Sequence, residues 1–176
     1  MILIMSLANI ITLSRGALIV PILLLLFSGH RTAALILFLF ASAGDILDGL
    51  VARARGEVTT WGKVLDPLMD KALYLSLLSS LYVFGEISLV ALILFLAPQV
   101  GMALGALLLR VRDRIVQSAK ILGKAAAVLS FGALVFLLAG WPGGAELLYV
   151  AIGLTYVATA DYAWSAWSKV RQGRAS

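Results

Sequence analysis

A chain of 176 residues that is 62% hydrophobic and only 13% charged, with a mean hydropathy of +1.03, falls outside the ordinary soluble class, which carries about 25% charged residues. Its length allows about six membrane helices of about 20 residues and no separate soluble domain, so residues 1–176 are expected to form a single membrane domain. The net charge of +5 fits a basic face meeting anionic lipid headgroups and calls for no nucleic acid, and the lack of cysteine excludes disulfides, thiolate metal sites and a cysteine nucleophile.

The N-terminal stretch MILIMSLANI is apolar from its first residue, with neither a basic n-region nor a small-residue cleavage site, and is read as retained rather than as a signal peptide. Apolar blocks follow at 17–28, 32–52, 64–84, 87–109, 121–141 and 145–168. They are punctuated by SGHR, RARGEVTTWGK, FGE, RVRDRIVQSAK and GWPGG. This pattern predicts an all-α integral membrane protein with six transmembrane helices. The first block is short, so NIITLSR at 9–15 is expected as an N-terminal interfacial amphipathic segment leading into it. His30 reads as an interfacial polar residue in the first turn. Pro98, Gln99, Gly101 and Gly105 read as a kink and packing face in the fourth block. Asp161 is an intramembrane acid that either serves a cavity or bonds locally, and Trp141, Trp164 and Trp167 fit interfacial anchoring.

Of the 14 Lys and Arg residues, six spans would put all but Arg31 on one side. That side takes Arg15, Arg53, Arg55, Lys63, Lys71, Arg110, Arg112, Arg114, Lys120, Lys124, Lys169, Arg171 and Arg174. The asymmetry predicts a multi-pass protein of the cell (inner, cytoplasmic) membrane with both termini cytoplasmic.

Toward the same side lie two pairs of aspartates that make up four of the nine acidic residues. Asp45 and Asp48 lie about 60° apart on one helix, and Asp66 and Asp70 about 40° apart on the next. Carboxylates at membrane depth are costly and are functional by default. Four converging carboxylates repel unless cations lie between them, and an oxygen-only donor set selects Mg²⁺ or Mn²⁺, ions that also bind substrate phosphates. The competing reading is a structural ion network with Arg53, Arg55, Lys63 and Lys71. Gly49, Ala52 and Gly62 leave room beside the pairs for a bulky ligand, or for another helix.

Written out, residues 45 to 70 read D-x-x-D-G-x-x-A-R-x(8)-G-x(3)-D-x(3)-D. This resembles the signature of the CDP-alcohol phosphatidyltransferase family, with every fixed position and spacing kept. NIITLSR is similar to that family's N-x-x-T-x-x-R, and LDPLMDK to the L-D-P-L-A-D-K run of its bacterial glycerophosphate members. The chain departs from those members in having GKAAA, without threonine, after Lys124 and no proline ahead of the N-terminal motif.

The resemblance implies an enzyme of phospholipid biosynthesis that moves a phosphatidyl group from CDP-diacylglycerol to a small phosphorylated alcohol, best matched by glycerol 3-phosphate, with release of CMP. It implies one or two Mg²⁺ or Mn²⁺ ions held by Asp45, Asp48, Asp66 and Asp70, with Asp70 as further ligand or catalytic base. Gly49, Ala52, Arg53 and Gly62 would line the CDP-lipid site, in a cavity open to the cytoplasmic side, within a homodimer. Arg110, Arg112, Lys120 and Lys124 are candidates for the acceptor phosphate, with Arg114, Arg15 and Lys71 also available. Inositol phosphate or another polar alcohol is the alternative acceptor. A cation-coupled transporter is the alternative from a different class, though no internal repeat of the kind many transporters carry is visible.

Overall fold

The structure is a computed structural model. It describes residues 7–55, 62–110 and 121–172, with side chains described at 16–44, 69–101 and 121–165. Six helices account for all but the short turns among these residues: α1 (Leu7–Phe27), α2 (Arg31–Arg55), α3 (Gly62–Val83), α4 (Leu89–Arg110), α5 (Ile121–Ala139) and α6 (Gly144–Gln172). No strand occurs among the described residues.

Each apolar block of the sequence became one helix, and the main difference lies at the start of the first. α1 runs without a break through 9–15 and on into the apolar block. Asn9, Thr12 and Ser14 cost a helix only a few tenths of a kcal/mol each, so hydropathy falls there while the helix continues. Pro21 lies inside α1 and Pro98 inside α4. Each forgoes one N–H bond to the preceding turn, yet both helices continue past them.

The turns show why the helices stop where they do. At the end of α1, the His30 N–H donates to the Leu25 carbonyl (2.8 Å) and the Gly29 N–H to Leu26 (3.1 Å). Gly29 has φ +78°, the left-handed geometry that closes a helix in a Schellman motif. α5 ends the same way. Trp141 N–H reaches Phe136 (2.9 Å) and Gly140 N–H reaches Leu137 (3.1 Å), with Gly140 at φ +68°. The accompanying apolar contact is the edge-on stack of Phe136 and Trp141, whose centroids are 5.2 Å apart. Ser88 caps α4, its Oγ accepting from the Ala91 N–H at 3.0 Å.

The chain folds as two compact units, Met1–Val83 and Phe84–Ser176. In the first, α1 packs against both α2 and α3. Ile22 and Leu26 of α1, Ala34, Phe38 and Ala41 of α2, and Leu73, Leu77 and Leu81 of α3 are buried there. In the second, α6 packs against α5 and α4, burying Leu148, Ala151 and Ile152 together with Leu134, Leu138 and Phe95. Ser88 Oγ and the Tyr149 hydroxyl, 2.9 Å apart, pin the start of α4 to α6.

The outward faces also carry many large apolar side chains. Val20, Leu24 and Phe27 form an exposed row on α1, and Phe40, Ile121 and Trp164 are 72%, 84% and 75% exposed. Hydroxyls turn inward on their own helices: Ser42, Ser76, Ser80, Ser130, Thr155 and Thr159 each donate to the carbonyl four residues earlier at 2.7–2.9 Å. Soluble surfaces rarely carry extended apolar faces of this kind, and self-satisfied hydroxyls suit surroundings that offer no water. Among the described residues, α5 is by itself long and apolar enough to cross a bilayer, while the apolar stretches Gly16–Phe27, Arg31–Gly44 and Leu89–Gly101 are shorter.

Candidate active site

The signature lies wholly in the first unit, on α2 and α3. α2 is one unbroken helix from Arg31 to Arg55, so its register carries over from its described part to the motif. Its buried residues Ala34, Phe38 and Ala41 define an inner row. At about 100° per residue, positions 45, 48 and 52 fall within about 40° of that row. In α3 the buried row is Leu73, Leu77 and Leu81, and positions 66 and 70 fall within about 20° of its centre. Both carboxylate pairs are thus register continuations of rows that the fold turns inward.

Asp70 is the one of the four whose side chain is described. It is half-buried and engages a partner. Its neighbour Lys71 lies about 100° further round the helix and is exposed, away from the inner row. The side chains of Asp45, Asp48, Asp66, Gly49, Ala52, Arg53 and Gly62 lie outside the described ones, although all seven positions are helical. Among the described residues no group of three or more His, Cys, Asp or Glu side chains gathers.

The acceptor candidates are spread differently. Arg110 ends α4, with its side chain outside the described ones, and Arg112, Arg114 and Lys120 lie outside the described residues. Lys124 is exposed in the first turn of α5, beside Gly123. These positions belong to the second unit, whereas Arg15 and Lys71 belong to the first. Elsewhere, His30 is exposed and its carbonyl accepts from Ala34 at the start of α2. Pro98 is buried within an uninterrupted α4. Asp161 is half-buried with a partner, and its backbone carbonyl accepts from Ser165 Oγ. Trp141 and Trp164 are exposed, as anchors would be, and the Trp167 side chain lies outside the described ones.

One residue beside the site escapes a reading of the sequence. Gly16 of α1 stands so close to α3 that a Cβ built on it would lie 2.7 Å from Sδ of Met69. The only trace in the sequence is a methionine ahead of Asp70 where the similar L-D-P-L-A-D-K run has alanine.

The donor set fits a divalent cation on chemical grounds. All four groups are carboxylates, the chain has no cysteine, and its one histidine, His30, stands about 22 Å from position 45 along the α2 axis. Oxygen donors alone favour hard ions such as Mg²⁺ and Mn²⁺ over zinc.

The described residues are helical apart from short turns, and the signature's four aspartate positions fall on two helices that share α1 as a partner. Over residues 5–160 the chain matches the CDP-alcohol phosphatidyltransferase family, and it belongs to that family. The family is membrane-embedded, takes a CDP-alcohol and an alcohol acceptor, and is generally dependent on a divalent metal. A Mycobacterium tuberculosis protein named probable phosphatidylglycerophosphate synthase is 37% identical over 102 residues, which cover 54% of this chain and 49% of the relative. An Aquifex aeolicus protein named CDP-diacylglycerol–glycerol-3-phosphate 3-phosphatidyltransferase is 40% identical over 93 residues, 52% of each chain. A Pseudomonas fluorescens protein of the same name is 42% identical over 71 residues, 38% of this chain and 36% of the relative. The chain spans about half the length of the first two relatives.

Proposed function

We propose that this protein is a phosphatidylglycerophosphate synthase: a membrane enzyme that transfers the phosphatidyl group of CDP-diacylglycerol to glycerol 3-phosphate and releases CMP. The observation that carries the reading is the complete family signature at positions that continue the inward rows of α2 and α3. Residues 1–176 act as a single domain of that family, since the matched stretch 5–160 crosses the boundary between the two units.

The six helices span the inner membrane with both termini cytoplasmic, an arrangement supported by the apolar outward faces and by the one-sided Lys and Arg. Asp45, Asp48, Asp66 and Asp70 hold one or two Mg²⁺ or Mn²⁺ ions. When bound, the ions neutralise the diphosphate and stabilise CMP as the leaving group. Gly49, Ala52 and Gly62 admit the nucleotide close to the helix backbones, and Arg53 pairs with the diphosphate. As the acceptor oxygen attacks the lipid-bearing phosphorus, the bond from that phosphorus to the CMP oxygen breaks. The proton of the attacking hydroxyl passes to the Asp70 carboxylate.

Lys124, with Arg110, Arg112 and Lys120, binds the phosphate of the acceptor. The GKAAA departure falls in this group, and it favours testing inositol phosphate as the second acceptor. The working form is a homodimer.

The test is CMP release by the purified protein in vesicles containing CDP-diacylglycerol, with Mn²⁺ or Mg²⁺ and a panel of acceptors. Release that depends on glycerol 3-phosphate and yields phosphatidylglycerophosphate supports the reading. Release stimulated only by another alcohol would rename the acceptor, and no CMP with any acceptor would remove the enzyme from consideration in favour of a transporter.

A further inference from the structure

We propose that Gly16 is a positioning residue for the carboxylates of α3, and that the close approach of its backbone to Met69 sets their distance from the pair on α2. The proposal rests on the reading of Asp66 and Asp70 as ion ligands given above. In the first unit α1 touches both α2 and α3, so it is the element through which the two carboxylate-bearing helices are spaced. Gly16 is the place where α1 lacks a side chain against α3. A Cβ there would lie 2.7 Å from Met69 Sδ, 3.8 Å from Cγ and 3.9 Å from Cε. Carbon contacts are normally about 3.5 to 4.0 Å. A side chain at 16 therefore pushes Met69 away by about 1 Å or more.

Met69 flanks the two ligand positions on α3. It immediately precedes Asp70 and follows Asp66 by three residues, so both aspartates lie on the same side of it, about 100° and 60° round the helix. A side chain at 16 too large for the Met69 thioether to swing clear of would push α3 away from α1, and the aspartate face with it. A methyl group could be absorbed by bending a flexible thioether, but a branched side chain fills the space Met69 needs. A misplacement of about 1 Å at a reacting centre can cost about 10²-fold in rate.

The experiment uses the full chain in vesicles and reads both CMP release and Mn²⁺ binding, the latter by the electron paramagnetic resonance signal of free Mn²⁺. Gly16→Leu is expected to raise the half-saturating Mn²⁺ concentration at least fivefold in both assays and to lower kcat at least tenfold. The double variant Gly16→Leu with Met69→Ala, which removes the obstructed side chain, is expected to return both within threefold of wild type. A residue that merely supported folding would lower thermal stability without moving the Mn²⁺ dependence. If Gly16→Leu does not fold, Gly16→Val, whose branch the thioether cannot absorb, should give a shift of the same sign, about twofold, again reversed by Met69→Ala. Unchanged Mn²⁺ binding in both Gly16 variants, or a loss that Met69→Ala does not relieve, would overturn the proposal. A wild-type protein that binds Mn²⁺ but releases no CMP would overturn the transferase reading instead, and the Mn²⁺ shift would still decide the role of Gly16.

Discussion

The two units of the molecule share a plan and differ in what they place on it. In each, one helix touches the other two: α1 holds α2 and α3, and α6 holds α4 and α5. In the second unit the inner rows are apolar, with Leu134, Leu138, Leu148 and Ile152 buried, and Ser130 and Thr155 bonded back to their own helices. In the first unit the rows begin as apolar and then change character. Phe38 and Ala41 lead to positions 45 and 48, and Leu77 and Leu73 lead back to 70 and 66. The architecture is one solution to packing three helices, and on the function proposed above the chemistry would come from carboxylates that replace the last turns of an apolar row. That proposal assigns stability and activity to different stretches of the same rows.

Substitutions can break that division. The largest effect is expected from Asp70→Asn, which keeps the size of the side chain but cannot accept the proton. CMP release should fall about 10³-fold or more while CDP-diacylglycerol binding, measured by equilibrium dialysis in detergent, stays within threefold. Lys124→Ala tests whether the second unit contributes to substrate binding. It should raise the KM for glycerol 3-phosphate about tenfold and leave kcat within a factor of three, and an unchanged KM would confine the chemistry to the first unit. Gly144→Leu should act on the fold alone. A Cβ at 144 would already meet the backbone nitrogen of Leu137 at 3.0 Å, so overpacking is expected to cost about 1–3 kcal/mol. It should be seen as a lower thermal midpoint with normal Mn²⁺ dependence in the surviving protein. Ser88→Ala, which removes the cap on α4 and its link to Tyr149, should cost about 1 kcal/mol and leave kcat unchanged.

How much of this could be read from the sequence follows from the range of the forces involved. The six helices were legible because each apolar block ends at a strong local signal. Gly29 and Gly140 supply the positive φ a helix needs to stop, and no distant residue is required to know it. The start of α1 was less legible. Hydropathy registers Asn9, Thr12 and Ser14 as a boundary, whereas the backbone bonds of a helix do not depend on those side chains. The candidate aspartates were proposed from the sequence because spacings of three and four residues encode a shared helix face. Which face of each helix is inner took the structure, since it is burial of Ala34, Phe38, Leu73 and Leu77 that defines it. The approach of Gly16 to Met69 could not be read at all. It joins residues more than 50 positions apart, and a glycine in a helix carries no label naming the helix that will lie against it.

The turn that ends α5 has a consequence for the making of the protein. Gly140 and Gly143, both with positive φ, reverse the chain within four residues, and the Phe136 and Trp141 rings lock the reversal from residues only five apart. Contacts so close in sequence form early and need no distant partner. The α5–α6 hairpin can therefore assemble as soon as its second arm has been synthesised, giving the last third of the chain a local route to its native arrangement.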